Sequence, residues 1–401
     1  MARSVDSAVV LARLRDPDDT ARWWTGFTVI ALVIAIPMII SGPGNDLDVA
    51  NVFRSGRAIA RHLTYVPSRP PGAPVHEAIV GVLDLIGGPL LTNLASLAAA
   101  GVLVWALNSL LQREGVGRAG RWGVALVAAN PWFIIAATST ADYVFALMFC
   151  VLAALAIRSD RPVLAGLFAA ASMGSRIGSM TLVAAIVIAE LGTGDGARRR
   201  VAITAAVGAV VTVLLFIPSA VHAGGLAFAQ NDFAASSPLV QLGRALAKDV
   251  LLLGIPTVIV GLACLPAVIT AIRSWSSSWL VRFAVPGLVF SQVLFIRFPW
   301  KMAHLLPTLL CIAVLYAVAL QERPRVLMAM VALQLLFGVV RLDVLAPNQA
   351  NEASGGTFRP GITWGPVVTD WQCRRDHPKA YLGRQKEEVE VTWDCAAPYR
   401  N

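Results

Sequence analysis

The sequence predicts an all-α polytopic membrane protein, and its composition, its hydropathy and the placement of its basic residues support this fold class. Hydrophobic residues make up 57% of the 401 residues, charged residues only 14%, and the mean hydropathy is +0.67. Soluble domains contain about 25% charged residues. The net charge of +9 arises mostly in short loops between apolar runs, where basic residues set topology. We therefore expect membrane lipids and no nucleic acid as partners.

The N-terminal segment is predicted to hold a cytoplasmic tail and the first membrane span. Residues 1–22 contain four arginines and no long apolar run. Residues 24–40 form an apolar run close to the roughly 20 residues that cross a bilayer. No small-residue cleavage site follows this run, which predicts an uncleaved helix rather than a signal peptide.

The segment 41–88 is predicted to be the first external loop. We expect the rest of the chain to be arranged around residues 45–74 of this loop. On a helix, residues 49–63 separate into an apolar face and an arginine face. The apolar face comprises Val49, Val52, Phe53, Ile59, Ala60 and Leu63, and the other carries Arg54, Arg57 and Arg61. Such a helix lies in the membrane interface, where the arginines face water, a polar cavity or anionic lipid headgroups.

Two carboxylates and a stiff turn flank this interfacial helix. Asp46 and Asp48 precede it, and an Arg-Pro-Pro-Gly turn at 69–72 follows it. Proline fixes the backbone of such a turn and glycine relaxes it. The pattern predicts a carboxylate pair held at a defined place on the membrane surface. The simpler alternative for either aspartate is N-capping of the helix.

The remainder of the transmembrane region, 23–341, is predicted to bring the total to about eleven membrane crossings. A short apolar run at 76–86 is broken by Gly87-Gly88-Pro89, which favours a second interfacial or re-entrant helix. The further runs are 90–111, 122–137, 143–157, 163–173, 177–191, 201–220, 250–272, 280–296, 305–320 and 326–340. The run at 163–173 is short and is therefore the weakest of these spans.

The basic residues predict a cytoplasmic N-terminus and an extracytoplasmic C-terminus in the plasma membrane. With this orientation, twelve arginines fall in short cytoplasmic connections, as the positive-inside rule expects. They are Arg113, Arg118, Arg121, Arg158, Arg161, Arg198, Arg199, Arg200, Arg273, Arg282, Arg323 and Arg325. Arg176 is instead predicted at an outer turn facing a polar cavity, or snorkelling to the interface, because an arginine within a lipid-facing helix is costly.

The polar segment 342–401 is predicted to be a small external C-terminal subdomain. It contains Cys373 and Cys395, whereas the other three cysteines lie in apolar runs. Two cysteines in an exported segment favour a disulfide, which would stabilise the fold by roughly 3 kcal/mol. Alternating polar and apolar residues at 388–393 predict a strand.

The order of short motifs along residues 24–320 resembles the GT-C superfamily of membrane glycosyltransferases. This superfamily includes dolichyl-phosphate-mannose protein mannosyltransferases and aminoarabinose transferases. The motifs are Asp46-Leu47-Asp48, the interfacial helix, the turn at 69–74, Asn130-Pro131, Ser139-Thr140-Ala141-Asp142, Ala165-Gly166-Leu167, Gly174-Ser175-Arg176 and the segment 298–307. The resemblance implies a GT-C-like bundle with interfacial helices in the first external loop.

The resemblance also implies a reaction. A sugar would pass from a polyprenyl-phosphate donor to an acceptor hydroxyl on the outer side, by inverting displacement with an aspartate as general base. The matching positions are Asp46 and Asp48. Many members of the superfamily have adjacent acidic residues, whereas Leu47 intervenes here, so either aspartate is a candidate. A glycan, a glycolipid or a protein is the implied acceptor.

The residue chemistry is consistent with a donor that carries a phosphate. Cations hold such a donor and stabilise the charge of the leaving group, at about 1.5 to 3 kcal/mol for each charged hydrogen bond. The candidate cations are Arg69, Arg176, Arg297, Lys301 and His304. Lys301 and His304 have ordinary interface anchoring as their alternative.

Three further residues, His62, His76 and Asp142, are secondary candidates for the site. For Asp142 the alternative is capping of the next span. We expect no cofactor. A divalent metal held by the two aspartates and a histidine is conceivable, but no ligand spacing points to it.

The rival hypothesis is a multi-span transporter or lipid flippase, and a third is an inactive membrane partner of another enzyme. A transporter would explain the apolar spans and outward cations without chemistry. However, the hydropathy shows no inverted repeat, and Asp84 and Glu190 lie near the ends of apolar runs rather than in mid-span.

Overall fold

The computed structural model describes residues 17–46, 48–225, 237–343 and 361–376. The α-helices in these ranges are α1 (Pro17–Ser41), α2 (Asp48–His62), α3 (Pro74–Arg113), α4 (Gly117–Ala128), α5 (Pro131–Ala137), α6 (Tyr143–Arg158), α7 (Pro162–Ser175), α8 (Met180–Leu191), α9 (Ala197–His222), α10 (Pro238–Leu253), α11 (Ile255–Ala263), α12 (Leu265–Ile272), α13 (Trp279–Arg297), α14 (Leu306–Ala319), α15 (Pro324–Val339) and α16 (Pro366–Asp376). Short 3₁₀ helices cover Ile177–Ser179 and Met302–Leu305. Strands β1 (Val340–Asp343) and β2 (Gly361–Trp364) pair antiparallel.

The predicted all-α membrane class is confirmed, but the count of about eleven crossings is not. Within the described ranges, five helical segments are long and apolar enough to span a bilayer, and α10 with α11 gives a sixth if this bent pair is one span. The five are Thr20–Ser41, Pro74–Arg113, Ala197–His222, Trp279–Arg297 and Met302–Ala319. Shorter apolar helices of 10–17 residues, such as α6 and α7, pack among them.

Two of the predicted spans are broken, and the breaks share one network of side-chain amides. The run at 122–137 divides where Asn130 accepts hydrogen bonds from the backbone N–H groups that begin α5. The run at 250–272 bends by 91° at Gly254, which has φ +72°. Asn130 and Gln334 donate to the Leu252 and Leu253 carbonyls at 2.7 and 2.5 Å. Because a bilayer offers no water, such breaks require internal partners.

The helices are layered around α6. Twelve of its sixteen residues are buried, as expected for a helix that is apolar on all sides. It packs against α3 and α7. By contrast, α1 and α9 expose large aliphatic side chains such as Val33 and Val213, at 67% and 64%. Those two helices therefore contribute to the lipid-facing surface.

Near both ends of the described chain, the observed helix and strand begin at other residues than the predicted segments. Helix α1 begins at Pro17, so residues 17–22 of the predicted tail continue the first span, and residues 1–16 lie outside the described part. The C-terminal piece begins at β1 rather than at 342. The strand predicted at 388–393 also lies outside the described residues.

The predicted interfacial helix α2 crosses α3 at a close contact between two glycines. A Cβ on Gly81 would lie 2.1 Å from the Gly56 carbonyl oxygen. Val49, Val52 and Phe53 are buried beside this crossing, in agreement with the predicted apolar face.

The predicted faces of α2 are wrong at two positions. Leu63 is 94% exposed because the helix ends one residue before it. Arg57 pairs with Asp84 of α3, Nε to Oδ2 2.5 Å, instead of facing lipid headgroups, whereas Arg54 and Arg61 are exposed. The pair of Arg57 with Asp84 adds a second tie between α2 and α3.

As predicted, α3 is interrupted at Gly87 and Gly88. Gly88 has φ +63° and ψ −160°, values outside the helical region. Pro89 then begins the second half of the helix, where its missing N–H leaves no donor unpaired. The first half can therefore hold α2 and the 69–72 turn at a different angle from the span that follows.

The glycine crossing gives a stability prediction. Gly81→Ala should lower the stability of the protein by about 1 to 3 kcal/mol, because the new methyl group pushes α2 away from α3. The matched control is Gly101→Ala on the same helix, where an added Cβ meets no atom within 4 Å. Thermal unfolding in detergent measures both variants, and equal midpoints would contradict the packing described here.

Candidate functional site

The loop after α1 is fixed by contacts with the turn between α5 and α6. Gly44 has φ +112°, and a Cβ there would lie 2.4 Å from the Ser139 Cβ, so only glycine permits this approach. The Thr140 N–H donates to the Pro43 carbonyl at 2.8 Å. Asn93 of α3 donates to the Gly42 carbonyl at 2.7 Å. These contacts set the position of the carboxylates that follow.

Lys301 joins both candidate aspartates. Its Nζ lies 2.6 Å from Asp46 Oδ1 and 2.7 Å from Asp48 Oδ2. Asp46 Oδ1 also accepts the backbone N–H of Asp48, the first residue of α2, at 2.9 Å. The loop that carries Lys301 is held by Lys248 of α10, whose Nζ donates to the Trp300 carbonyl at 2.6 Å. The broken span α10 thereby contributes to the site.

Asp142 pairs with two arginines rather than capping α6. Its carboxylate makes no capping hydrogen bond to the helix. It contacts Arg69 Nη2, and Arg176 Nη1 lies 3.1 and 3.2 Å from its two oxygens. Arg69 Nη1 in turn lies 3.2 Å from Asp48 Oδ2. Asp142, which is 3% exposed, therefore connects the arginines to the aspartate pair.

The local backbone structure sets the positions of Arg176 and Arg69 in this cluster. Arg176 is the extended residue that ends α7, with φ −158° and ψ 114°, and its guanidinium lies 4.1 Å from the Tyr143 ring centroid. It is thus at a turn between helices, facing polar groups. Arg69 follows Ser68, whose N–H donates to Glu77 Oε1 at 3.0 Å. The fully buried Glu77 also accepts from Ser55 of α2 at 3.0 Å.

The positive and negative charges of this cluster are equal in number, and their pairing shifts the pKa values of the groups that carry them. Three cations (Arg69, Arg176, Lys301) face three carboxylates (Asp46, Asp48, Asp142). Burial would raise the pKa of Asp48, but Arg69 and Lys301 outweigh it and hold this pKa well below its ordinary value. Burial likewise opposes ionisation of Asp142, yet Arg69 and Arg176 keep its pKa lowered. Lys301 has a raised pKa, because Asp46 and Asp48 outweigh burial.

Four other candidates lie at varying distances from this cluster. Arg297 lies 5.0 Å from the Phe298 ring centroid and makes no ion pair with the cluster carboxylates. His304 is close, with its ring 6.0 Å from that of Tyr143. His76 is fully buried, and its ring nitrogens have no hydrogen-bond partner among the described residues. His62 is exposed at the end of α2. The structure thus brings His304 to the site, but not His62 or Arg297.

Cys373 is disulfide-bonded, while Cys150, Cys264 and Cys311 are free. Cys395 lies outside the described residues, so the pairing of Cys373 with Cys395 stays a prediction. Within the described ranges, no three His, Cys, Asp or Glu side chains come together in a way that would hold a metal ion.

A partly enclosed cavity of about 90 Å³ adjoins the cluster. Asp46, Tyr143 and Lys301 form one part of its wall, and Trp132 and Asp370 line another part. The Tyr143 hydroxyl lies 3.4 Å from Asp46 Oδ2 and donates to it. The two arginines and Asp48 do not line this cavity. The site therefore has a cationic side and an open side, with Asp46 and Lys301 common to both.

Sequence reasoning missed Glu77, Tyr143 and Asp370. The sequence feature that could have identified Tyr143 as a site residue is its position directly after the candidate Asp142. In the sequence, Glu77 is an acidic residue near the start of a predicted helix, and this position does not indicate that it is buried. Asp370 acts across 325 residues, through a 2.6 Å hydrogen bond from Asn45 Nδ2 to its Oδ1. No local pattern encodes a contact of that length.

The pairing of Asp142 predicts a pH-dependent stability. A carboxyl group with a lowered folded pKa stabilises the protein above its unfolded pKa of about 3.9, and this stabilisation is lost as the pH falls through the folded value. Asp142→Asn should lower neutral-pH stability by about 3 kcal/mol, since it leaves two arginines without this partner. The difference from the parent should stay constant down to about pH 5 and then shrink as the pH is lowered further. Thermal unfolding across this range measures it.

The exposed Asp376 provides the control for that experiment. Its pair with Arg375 is more than half exposed on both sides, so Asp376→Asn should change stability by less than about 1 kcal/mol. A constant difference between Asp142→Asn and the parent at all pH values would contradict the proposed ion pairs.

Comparison with known proteins identifies the fold. No protein-family model and no curated protein matches the sequence. Among solved structures, ArnT from Cupriavidus metallidurans bound to undecaprenyl phosphate matches with a TM-score of 0.60 and 15% identity, over 94% of this chain and 76% of that one. The apo form of the same protein matches with a TM-score of 0.58 and 15% identity, over 95% and 75% of the two chains. The fold of this chain is therefore similar to that of ArnT over nearly its whole length, in agreement with the fold that the sequence resemblance implied.

Proposed function

We propose that this protein is a membrane glycosyltransferase that uses a polyprenyl-phosphate sugar donor and an acceptor hydroxyl on the extracytoplasmic side. The observation that carries this proposal is the arrangement of one carboxylate, Asp46, beside Lys301 at the wall of a cavity, with Arg69 and Arg176 grouped behind them. A base and a phosphate-binding cluster are the two parts that this transfer needs.

The fold supports the nature of the donor. ArnT has been crystallised with undecaprenyl phosphate, a polyprenyl phosphate, and its fold extends over nearly all of this chain. We transfer the ligand class to this protein because its own cations meet at one place. Arg69 and Arg176 share Asp142, and Arg69 with Lys301 shares Asp48.

The proposed reaction is an inverting displacement. The acceptor oxygen attacks the anomeric carbon, and the bond from that carbon to the phosphate oxygen breaks. The bonding electron pair leaves with the phosphate, which gives polyprenyl phosphate. The acceptor proton passes to Asp46. No cofactor enters this balance.

Asp46 is favoured over Asp48 as the base because of its position. Asp46 lines the open cavity, where an acceptor can reach it. Asp48 is held by both Arg69 and Lys301, so its lowered pKa makes it a poor proton acceptor. We therefore assign Asp48 to the positioning of the cations and Asp46 to proton transfer.

The charge balance explains how the donor could be held and released. A phosphodiester donor brings one negative charge, and the polyprenyl phosphate that leaves carries more. Lys301 lies within 2.7 Å of both aspartates and is the cation on the cavity side. A donor phosphate that attracts Lys301 would weaken its hold on Asp46 and leave that carboxylate free to take the acceptor proton. Arg69 and Arg176, fixed by Asp142, would then stabilise the growing charge.

The rival transporter hypothesis finds less support. The two acidic residues at the ends of the apolar runs, Asp84 and Glu190, are both paired with arginines inside the protein. Asp84 pairs with Arg57, and Glu190, fully buried, lies 2.7 Å from Arg200. Buried carboxylates paired in this way stabilise helix contacts and are not poised to bind a coupling ion.

The site and its charges are consistent with the predicted orientation in the plasma membrane. We propose that the loops after α1, between α5 and α6, and after α13 face outward, with a cytoplasmic N-terminus and an extracytoplasmic C-terminus. The acceptor class is then a cell-envelope glycan, a glycolipid or an exported protein.

Substitution of the two aspartates tests the proposal. Asp46→Asn should reduce the release of polyprenyl phosphate by at least about 10²-fold, because it removes the base, while donor binding is retained. Asp48→Asn should mainly weaken donor binding. The measurement is turnover of a panel of polyprenyl-phosphate sugars by the purified protein, beside equilibrium binding of the same donors.

Asp160→Asn is the control, since its side chain is 84% exposed at a distant turn. Full activity of Asp46→Asn would overturn the assignment of the base. If no donor is bound or consumed and transport depends on an ion gradient, the transporter hypothesis replaces the enzyme.

A further inference from the structure

The cavity beside Asp46 has a second wall, formed by the C-terminal helix α16. Asp370 of that helix accepts a hydrogen bond from Asn45 Nδ2 at 2.6 Å through Oδ1 and one at 3.2 Å through its backbone carbonyl. Asp370 Oδ2 lies 2.7 Å from Arg374 Nη2. The residue that precedes the proposed base is thus fixed by a segment from the opposite end of the chain.

Arg374 anchors this wall in the protein. It is 1% exposed, and its guanidinium donates to the Thr138 carbonyl at 2.8 Å and to the Met38 carbonyl at 3.3 Å. Those carbonyls belong to the ends of α5 and α1, where helices have acceptors without partners. Asp370 therefore has a fixed position at the cavity.

Asn45 leaves one polar atom unused. Its amide nitrogen faces Asp370, so its Oδ1 points elsewhere, and this oxygen has no hydrogen-bond partner among the described residues. Asn45 is 6% exposed and lines the cavity. A buried acceptor without a partner is unfavourable, and a bound hydroxyl group that donates to it would remove this cost.

The rest of the cavity wall is mostly apolar and includes the Trp132 indole. Its Nε1 donates to the Leu251 carbonyl at 3.1 Å, which fixes the ring beside the cavity. The volume of about 90 Å³ holds on the order of six water molecules. That space suits the edge of one sugar ring, which has apolar C–H groups for an indole and hydroxyls for an amide oxygen.

We infer that this cavity is the acceptor subsite and that the acceptor is a carbohydrate hydroxyl, bound by Asn45 and Trp132 and positioned through Asp370. The inference rests on the proposed function. An in-line displacement needs the nucleophile opposite the leaving group, and the cavity is the side of Asp46 that Arg69 and Arg176 do not line. Asn45 is a binding residue in this scheme, and Asp370 is a positioning residue that acts through it.

The test uses the full chain and two independent readouts. Saturation-transfer NMR measures binding of methyl β-D-glucopyranoside, methyl α-D-mannopyranoside and methyl β-D-galactopyranoside without any donor, with N-acetylserinamide as the peptide-type hydroxyl. Kinetics then compare release of polyprenyl phosphate with water alone and with the bound glycoside. The variants are Asn45→Ala and Asp370→Asn, with the exposed Asp376→Asn of the same helix as control.

We expect the parent to bind at least one glycoside, and Asn45→Ala to raise its KM about tenfold, the effect of one hydrogen bond. Asp370→Asn should raise KM several-fold. In both variants the rate of transfer to the glycoside should fall more than the rate of donor hydrolysis by water, because water needs no contact with Asn45. Asp376→Asn should match the parent in every readout.

Three results would overturn the inference: no glycoside binding by the parent, binding that Asn45→Ala leaves unchanged, or preferential use of N-acetylserinamide. A parallel loss of hydrolysis and transfer in the variants would also overturn it, since it would show a structural role only. Failure of the proposed function appears differently, as a parent that binds glycoside through Asn45 but consumes no donor.

Discussion

The site depends on one constraint: charges removed from water must be paired with one another. Three cations and three carboxylates meet here, and Asp142 is the least exposed of them. A buried carboxylate that is paired with two arginines is much more stable than a carboxylate or an arginine that is buried without a partner. Because Asp142, Arg69 and Arg176 lie on three different segments, their pairing fixes the loop between α2 and α3 relative to α6 and α7.

The same constraint applies to backbone groups. Helix breaks inside a membrane protein expose carbonyls that lipid cannot satisfy. Asn130 and Gln334 bind the carbonyls that end α10, and Arg374 binds those that end α5 and α1. These side chains allow short, bent helices to approach the site. Among them is α10, which supports the Lys301 loop through Lys248.

The division of the site into a cationic side and an open side links structure to the proposed chemistry. A donor with a charged phosphate and a neutral acceptor need different surroundings. Asp46 and Lys301 lie at the boundary between the two sides. Helix α16 completes the open side through Pro366 and Asp370.

The sequence by itself determined the helical membrane class, the amphipathic α2, the break at Gly87 and Gly88, and the loops that carry Asp46, Arg69 and Lys301. These features depend on neighbouring residues, through hydropathy, periodicity and the backbone preferences of glycine and proline. Only the tertiary structure decided that Asp142 pairs with arginines instead of capping α6, that Arg57 meets Asp84, and that Asp370 reaches Asn45. Those contacts arise between segments far apart in the chain, where burial forces polar groups to find partners that no local pattern specifies.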